Sequence, residues 1–162
     1  MRRLVARFRK ARSAVAAVEF AIAMPVFLMF IGGTLDFGFA NYGRSALANA
    51  VAAGAHYAYL TVQSGGTVTA SSLQTLIQTV SGLSNVTVTV TGPACYCVTG
   101  TGPTMASSTQ CGTTPPGLCS DNTTPAGTYV IINATYAYQA MMPAYSHLAG
   151  ATMAESATVQ LK

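Results

Sequence analysis

One stretch constrains this chain before anything else does: AVAAVEFAIAMPVFLMFIGGTL, running from Ala14 to Leu35. It is 22 residues long and carries a single charge, Glu19. A helix rises about 1.5 Å per residue, so such a run reaches ~33 Å, enough for a hydrocarbon core ~30 Å thick. Six basic residues (Arg2, Arg3, Arg7, Arg9, Lys10, Arg12) stand immediately before it. On the far side only Arg44 answers them, with Asp36 nearby. Positive charge close to a span is retained on the cytoplasmic side. The sequence therefore predicts a transmembrane helix, with the N-terminus inside and everything after Leu35 outside.

Two residues inside the span need a physical account. A carboxylate at Glu19, near one end of the helix, costs up to ~2–3 kcal/mol on insertion scales. If it is merely tolerated, it is protonated or snorkels toward Arg12. A charge that costs insertion energy usually has a partner, and that is the preferred reading. Pro25 removes one helical hydrogen bond and predicts a kink, which membrane helices tolerate.

The chain has 162 residues, a length that allows one modest domain beside the span. Charged residues make up 7% of it, against ~25% in ordinary soluble domains. The formal net charge is +4, but the leader alone supplies +6. From Val15 onward Arg44 and Lys162 stand against Glu19, Asp36, Asp121 and Glu155, leaving −2. No basic patch survives outside residues 1–14, so a nucleic-acid partner is disfavoured. A cleaved secretory signal is a rival reading, with Gly38-Phe39-Ala40 as a small-x-small site. The apolar run, however, exceeds the roughly 7–15 residues of a signal core and contains Glu and Pro.

Beyond the span, residues 37–62 predict a helical stalk. Ala40, Gly43, Leu47, Ala50, Gly54 and Tyr57 form one i, i+3/i+4 stripe, and small residues on such a stripe admit a close neighbour. His56 has no companion at i+4, so it is a surface residue rather than a metal ligand. Ser64-Gly65-Gly66 breaks the helix. A second helix follows, with Leu73, Leu76, Ile77 and Val80 on one face. Ser71 and Gln74 predict its capping box, and Gly82 its stop. Val86 to Thr91 alternates as a strand, with Val86, Val88 and Val90 inward. A second strand covers 128–138, with Val130, Ile132, Ala134, Tyr136 and Tyr138 on one face. A third carries Ala157, Val159 and Leu161.

The excursion from Gly92 to Gly127 is too long for an untethered loop in a compact domain. It holds all four cysteines: Cys95, Cys97, Cys111 and Cys119. Outside the cytoplasm an even number of cysteines predicts disulfides. A Cys95–Cys97 bond is disfavoured by the short chain between them; the other two pairings stay open. A metal site is the weaker alternative, because the paired C-x2-C spacing is missing. The staple reading also outweighs a partner-binding loop. Catalysis finds no foothold. His147 has no acid at a spacing that identifies a triad, and no nucleophile or phosphate-binding motif is present. The N-x-T triplets at Asn85, Asn122 and Asn133 are expected by chance in so Thr-rich a chain. No cofactor is expected.

The segment Ala14-Val15-Ala16-Ala17-Val18-Glu19-Phe20, between a basic leader and an apolar run, resembles the processing region of type IV-like prepilins. More narrowly, AAVEFAIAMPVFLMFIGGTLDFGFANYGRSALANAVAAGAHYA is similar to the N-terminal half of TadE-like proteins, the minor pilins or pseudopilins of tight-adherence (Flp) pili. Residues 13–60 carry the likeness: a VEF, a Pro six residues after the Glu, an LDFG exit, then an Ala/Asn/Arg helix ending in AGA. Beyond residue 60 it is looser. The resemblance implies that a prepilin peptidase cuts between Ala14 and Val15, making Glu19 the fifth mature residue, followed by Phe20. The family usually has Gly before the cut; alanine is small enough for the same site. It further implies that Glu19 pairs with the new α-amino group of an adjacent subunit. Other pilins or pseudopilins and an inner-membrane assembly platform are the implied partners.

The expected architecture is α+β: a long N-terminal transmembrane helix packed on a small antiparallel sheet, with a disulfide-tied loop. The expected organisation is a cytoplasmic leader at 1–14, a span at 15–36, a stalk at 37–62 and an extracytoplasmic domain at 63–162. The expected location is the bacterial inner membrane, with the C-terminal domain periplasmic or extracellular. The rival function is a permanently anchored binding or adhesion domain that assembles into nothing.

Overall fold

The computed structural model describes residues 2–99, 104–112, 117–119, 123–142 and 152–162, and among these the side chains of all but 2–14, 99, 104 and 112. The expectations placed on the side chains of the leader, on Asp121 and Asn122 and on His147 lie outside the described residues. The chain divides into two compact units, Met1–Ala40 with Gln139–Gly150 and Asn41–Tyr138 with Ala151–Lys162.

Helix α1 runs from Arg2 to Gln63, so the basic leader is helical too, and Pro25 lies inside the helix without ending it. The predicted break is a two-glycine cap. Gly66 N–H donates to Thr61 O (2.8 Å) and Gly65 N–H to Val62 O (3.0 Å), with Gly65 at φ 82°. These bonds satisfy carbonyls that a helix end otherwise leaves orphaned.

Helix α2 (Ala70–Ser81) begins two residues earlier than a cap at Ser71 implies. Its cap is Thr69 rather than Ser71: the extended Thr69 accepts from Ser72 N–H through its hydroxyl, at 3.2 Å. Gln74 does not reach back to complete a capping box; its amide donates to Val88 O at 3.0 Å. Gly82 ends the helix in the left-handed region, as the sequence predicts. Leu73 and Ile77 are fully buried, Leu76 is half-buried, and Val80 faces solvent. The buried face runs at i, i+4, i+8 through Leu73, Ile77 and Ser81, so Ser81 rather than Val80 takes the inward position of the last turn.

Among the described residues four antiparallel strands, rather than the three expected, form one sheet in the order β2-β1-β3-β4: β1 (Val86–Thr99), β2 (Thr104–Ser107), β3 (Gly127–Ala137) and β4 (Thr152–Gln160). The first strand does not stop at Thr91. It shifts register between Thr91 and Ala94, then continues through both of its cysteines to pair with β2. Gly92 sits in this bulge at φ 104°, where a Cβ would meet Tyr129 O at 2.6 Å, so only glycine lets the two backbones approach. Much of the predicted loop is therefore strand and hairpin. Local composition reads as loop there because the pairing is held by distant residues.

The second unit has one main core. Leu47, Ala50, Val51 and Ala58 of α1 meet Leu73 and Ile77 of α2, and both helices bury against Val86, Val88, Val130, Ile132 and Ala134 of the sheet. Val88 pairs with Ala134 and Val90 with Ile132, so the inward valines of β1 fall opposite the inward residues of β3 as the alternation requires. Along Val86–Val88 no strand pairs on the outer side of β1 among the described residues; α2 stands there instead. Gln74 and Gln78 donate to the carbonyls of Val88 (3.0 Å) and Val86 (3.4 Å), which protects an edge that would otherwise be open.

Candidate membrane segment and assembly site

Periodicity does not describe the helix from Val15 to Leu35. Val26, Phe27, Leu28, Met29, Phe30 and Ile31 follow one another, and all are exposed. An apolar helix without a polar face is a segment built for an apolar surrounding. The helix holds a stretch of mean hydropathy 2.2, none of it buried within the fold. Among the described residues α1 is the one helix long and apolar enough to cross a membrane. Its polar side chains are few. Thr34 donates its hydroxyl back to Phe30 O and Ile31 O, both at 2.8 Å, so that the hydroxyl is satisfied within its own helix.

Glu19 lies exposed on this helix between Val18 and Phe20, which are also exposed, and Val15 is exposed at its start. The backbone of Ala14 is helical, continuous with Ser13 and Val15. Helical geometry puts Glu19 about 26 Å along the axis from Asp36. These two carboxylates therefore cannot act together.

Asp36 is the residue that sequence reading underrated. It is 1% exposed, and its carboxylate accepts from Met141 N–H at 2.8 Å and from Met142 N–H at 3.1 Å. One turn earlier Gly32 faces the same segment: a Cβ there would collide with the sulfur of Met142. Gly32 and Asp36 are thus an i, i+4 pair that receives a chain segment more than a hundred residues away. Nothing local to either residue signals this contact, and an aspartate after an apolar run reads simply as the polar exit of a span.

The small-residue stripe of α1 also resolves differently from one expectation. Ala40, Gly43, Leu47, Ala50 and Gly54 are buried, while Tyr57 is exposed and Ala58 takes its place inside. Within the second unit a Cβ at Gly43 would lie 2.8 Å from the Tyr136 ring, and one at Gly54 2.8 Å from Ile77. The stripe from Gly43 onward is occupied by the chain's own sheet and second helix. His56 is exposed on the same helix.

The four cysteines form two disulfides, Cys95–Cys111 and Cys97–Cys119. With Ala126 they make a second, small core at the far end of β1. Cys119 N–H donates to Thr124 O and Ala126 N–H to Gly117 O, so short backbone bridges brace the crosslinks. A metal site using these thiols is overturned, since every one of them is spent in a disulfide. Among the described residues no group of His, Cys, Asp and Glu is arranged to hold a metal. An open depression between Tyr57 and α2 is lined by Ser71, Ser72, Thr75, Leu76 and Thr79. Thr75 and Thr79 donate their hydroxyls to carbonyls of their own helix rather than converging on a ligand.

Residues 14–56 match the model of the TadE-like protein family. The match takes in the apolar span, Glu19, Asp36 and the greater part of the buried stripe, and stops before α2 and the sheet. No match is found among curated proteins or among solved structures.

Proposed function

We propose that this chain is a minor pilin or pseudopilin of a tight-adherence pilus, a structural and assembly component rather than an enzyme. The observation that carries the reading is the apolar helix from Val15 to Leu35, exposed on every side as far as Ile31 and interrupted by one carboxylate, within the TadE-like segment. An anchor alone would have no use for Glu19. In this reading the span sits in the bacterial inner membrane, and the disulfide-bonded unit faces the periplasm or the exterior. Prepilin peptidase removes residues 1–14 by cutting between Ala14 and Val15. The new amino terminus then pairs with Glu19 of a neighbouring subunit at the assembly platform, because two unpaired charges in an apolar medium are far costlier than a pair. The stripe from Gly43 to Gly54 is already covered by the chain's own fold, so neighbours meet through the apolar span and Phe20.

N-terminal sequencing of membrane-extracted protein tests this directly. The expected first residue is Val15. A first residue of Met1 turns the reading to a permanently anchored domain, and one of Asn41 to a secreted protein.

A further inference from the structure

The segment Gln139–Met142 has no role in the reading above, yet the fold holds it with care. Two N–H groups of its backbone are fixed by one buried carboxylate, Asp36. The side chain of Met142 occupies the space left by the missing Cβ of Gly32. With Met142 turned inward, Met141 points outward and is 72% exposed, as open as the membrane-facing Phe30. An isolated exposed methionine is ordinary. One pinned by a buried aspartate at a fixed height on an apolar helix is not.

That height can be estimated. Val15 to Leu35 spans ~32 Å of helix, about the thickness of a hydrocarbon core. Asp36 therefore stands at the boundary between acyl chains and headgroups, and Met141, hydrogen-bonded to it, stands there as well. Leu35, Phe37 and Phe39 are exposed on the helix at the same level. A bare carboxylate facing this boundary would resist burial. Here its oxygens are already engaged by backbone N–H groups, so the helix can enter the membrane to this depth without presenting a naked charge.

We propose that Gln139–Met142 is a second membrane contact: Asp36 clamps it to the end of the span so that Met141 inserts at the boundary of the lipid bilayer beside Leu35, Phe37 and Phe39. The inference rests on the membrane reading of α1. The occupant is lipid because Met141 is exposed at the level of the exposed Leu35, Phe37 and Phe39 at the end of the span, and the segment Gln139–Met142 carries no cation that would seek a headgroup phosphate. Asp36 is a positioning residue in this scheme, and lipid contact belongs to Met141.

The test uses full-length protein in vesicles of phosphatidylethanolamine and phosphatidylglycerol. A nitroxide is attached in turn to Met141→Cys, Val26→Cys and Ser84→Cys, the native cysteines being closed in disulfides. Collision with oxygen reports lipid, and collision with a water-soluble nickel chelate reports water. The expected oxygen-to-nickel ratio at 141 is several-fold above that at exposed Ser84 and below that at Val26, and unchanged by salt. Adding Asp36→Leu should drop the ratio at 141 toward the Ser84 value and leave Val26 unmoved. A water-like 141 beside a lipid-like 26 overturns the second contact alone. A water-like 26 overturns the membrane reading with it. A label at 141 shielded from both reagents marks a protein neighbour and overturns the lipid assignment. A ratio at 141 indifferent to Asp36→Leu overturns the clamp.

Discussion

Gly54 of α1 lies so close to Ile77 of α2 that a Cβ on the glycine would sit 2.8 Å from Ile77 Cγ1 and 2.9 Å from its Cδ1. The two helices cross where one of them has no side chain. Alanine in a helix interior is favoured over glycine by ~1 kcal/mol, while an extra methyl forced into a packed core costs ~1–3 kcal/mol. Crowding should win. Gly54→Ala is expected to destabilise the folded unit by up to ~2 kcal/mol, and Gly54→Val by more, measured by denaturant unfolding in detergent. A stabilised Gly54→Ala would show that the contact yields freely.

Helix α2 offers a contrast between positions that look alike in sequence. Leu73→Ala empties a fully buried site and should cost ~2–5 kcal/mol. Val80→Ala, on the exposed side, should cost less than ~0.5 kcal/mol. At the start of the helix Thr69→Ala removes the cap and should cost ~1 kcal/mol, whereas Ser71→Ala should be close to neutral. Equal effects at Thr69 and Ser71 would mean that the cap is shared.

The disulfides make a definite prediction about connectivity. Peptide mapping without reduction should recover Cys95 joined to Cys111 and Cys97 joined to Cys119, with no alkylatable thiol in native protein. The bonds close stretches of 16 and 22 residues, for which the chain-entropy model gives ~3 kcal/mol each. Replacing both Cys97 and Cys119 by serine should lower unfolding stability by about that amount. Four reactive thiols in native protein would contradict both the bonds and an oxidising location.

Glu19 separates partner from passenger. If its carboxylate is only tolerated, Glu19→Leu should be neutral or should help insertion, since it removes up to ~2–3 kcal/mol of cost. If it pairs with a neighbour's amine, that amine loses its partner at a cost of ~3–5 kcal/mol. Insertion and leader cleavage would then be normal while assembly fails. Glu19→Gln should be nearly as harmful, because it keeps the shape and loses the charge. Pilus formation and co-purification of partner pilins, scored beside cleavage, are the measurements. Normal assembly in both variants would refute the pairing.

Arg44 and Glu155 join α1 to β4 through an exposed ion pair at 3.4 Å. With Arg44 70% exposed, water screens it, and Arg44→Ala should cost under ~1 kcal/mol and be insensitive to added salt beyond moderate ionic strength. A loss of several kcal/mol would mean that Arg44 does more than pair.

Sequence by itself determined what depends on neighbours along the chain. The apolar run from Ala14 to Leu35 is a matter of composition and length. The stops at Gly65-Gly66 and Gly82 follow from the conformational freedom of glycine, and the alternation of Val86, Val88 and Val90 from the two-residue period of a strand. The class α+β followed from these. Tertiary structure decided whatever depends on residues far apart. It chose which cysteines pair and extended β1 past Gly92 into a hairpin that its Gly, Pro and Thr content conceals. It also turned Gln74 from a cap into a guard for the edge of β1. Above all it gave Asp36 its partners, Met141 and Met142, more than a hundred residues away. A carboxylate and two backbone N–H groups carry no pattern that links them in sequence; only the folded chain brings the acceptor to the donors.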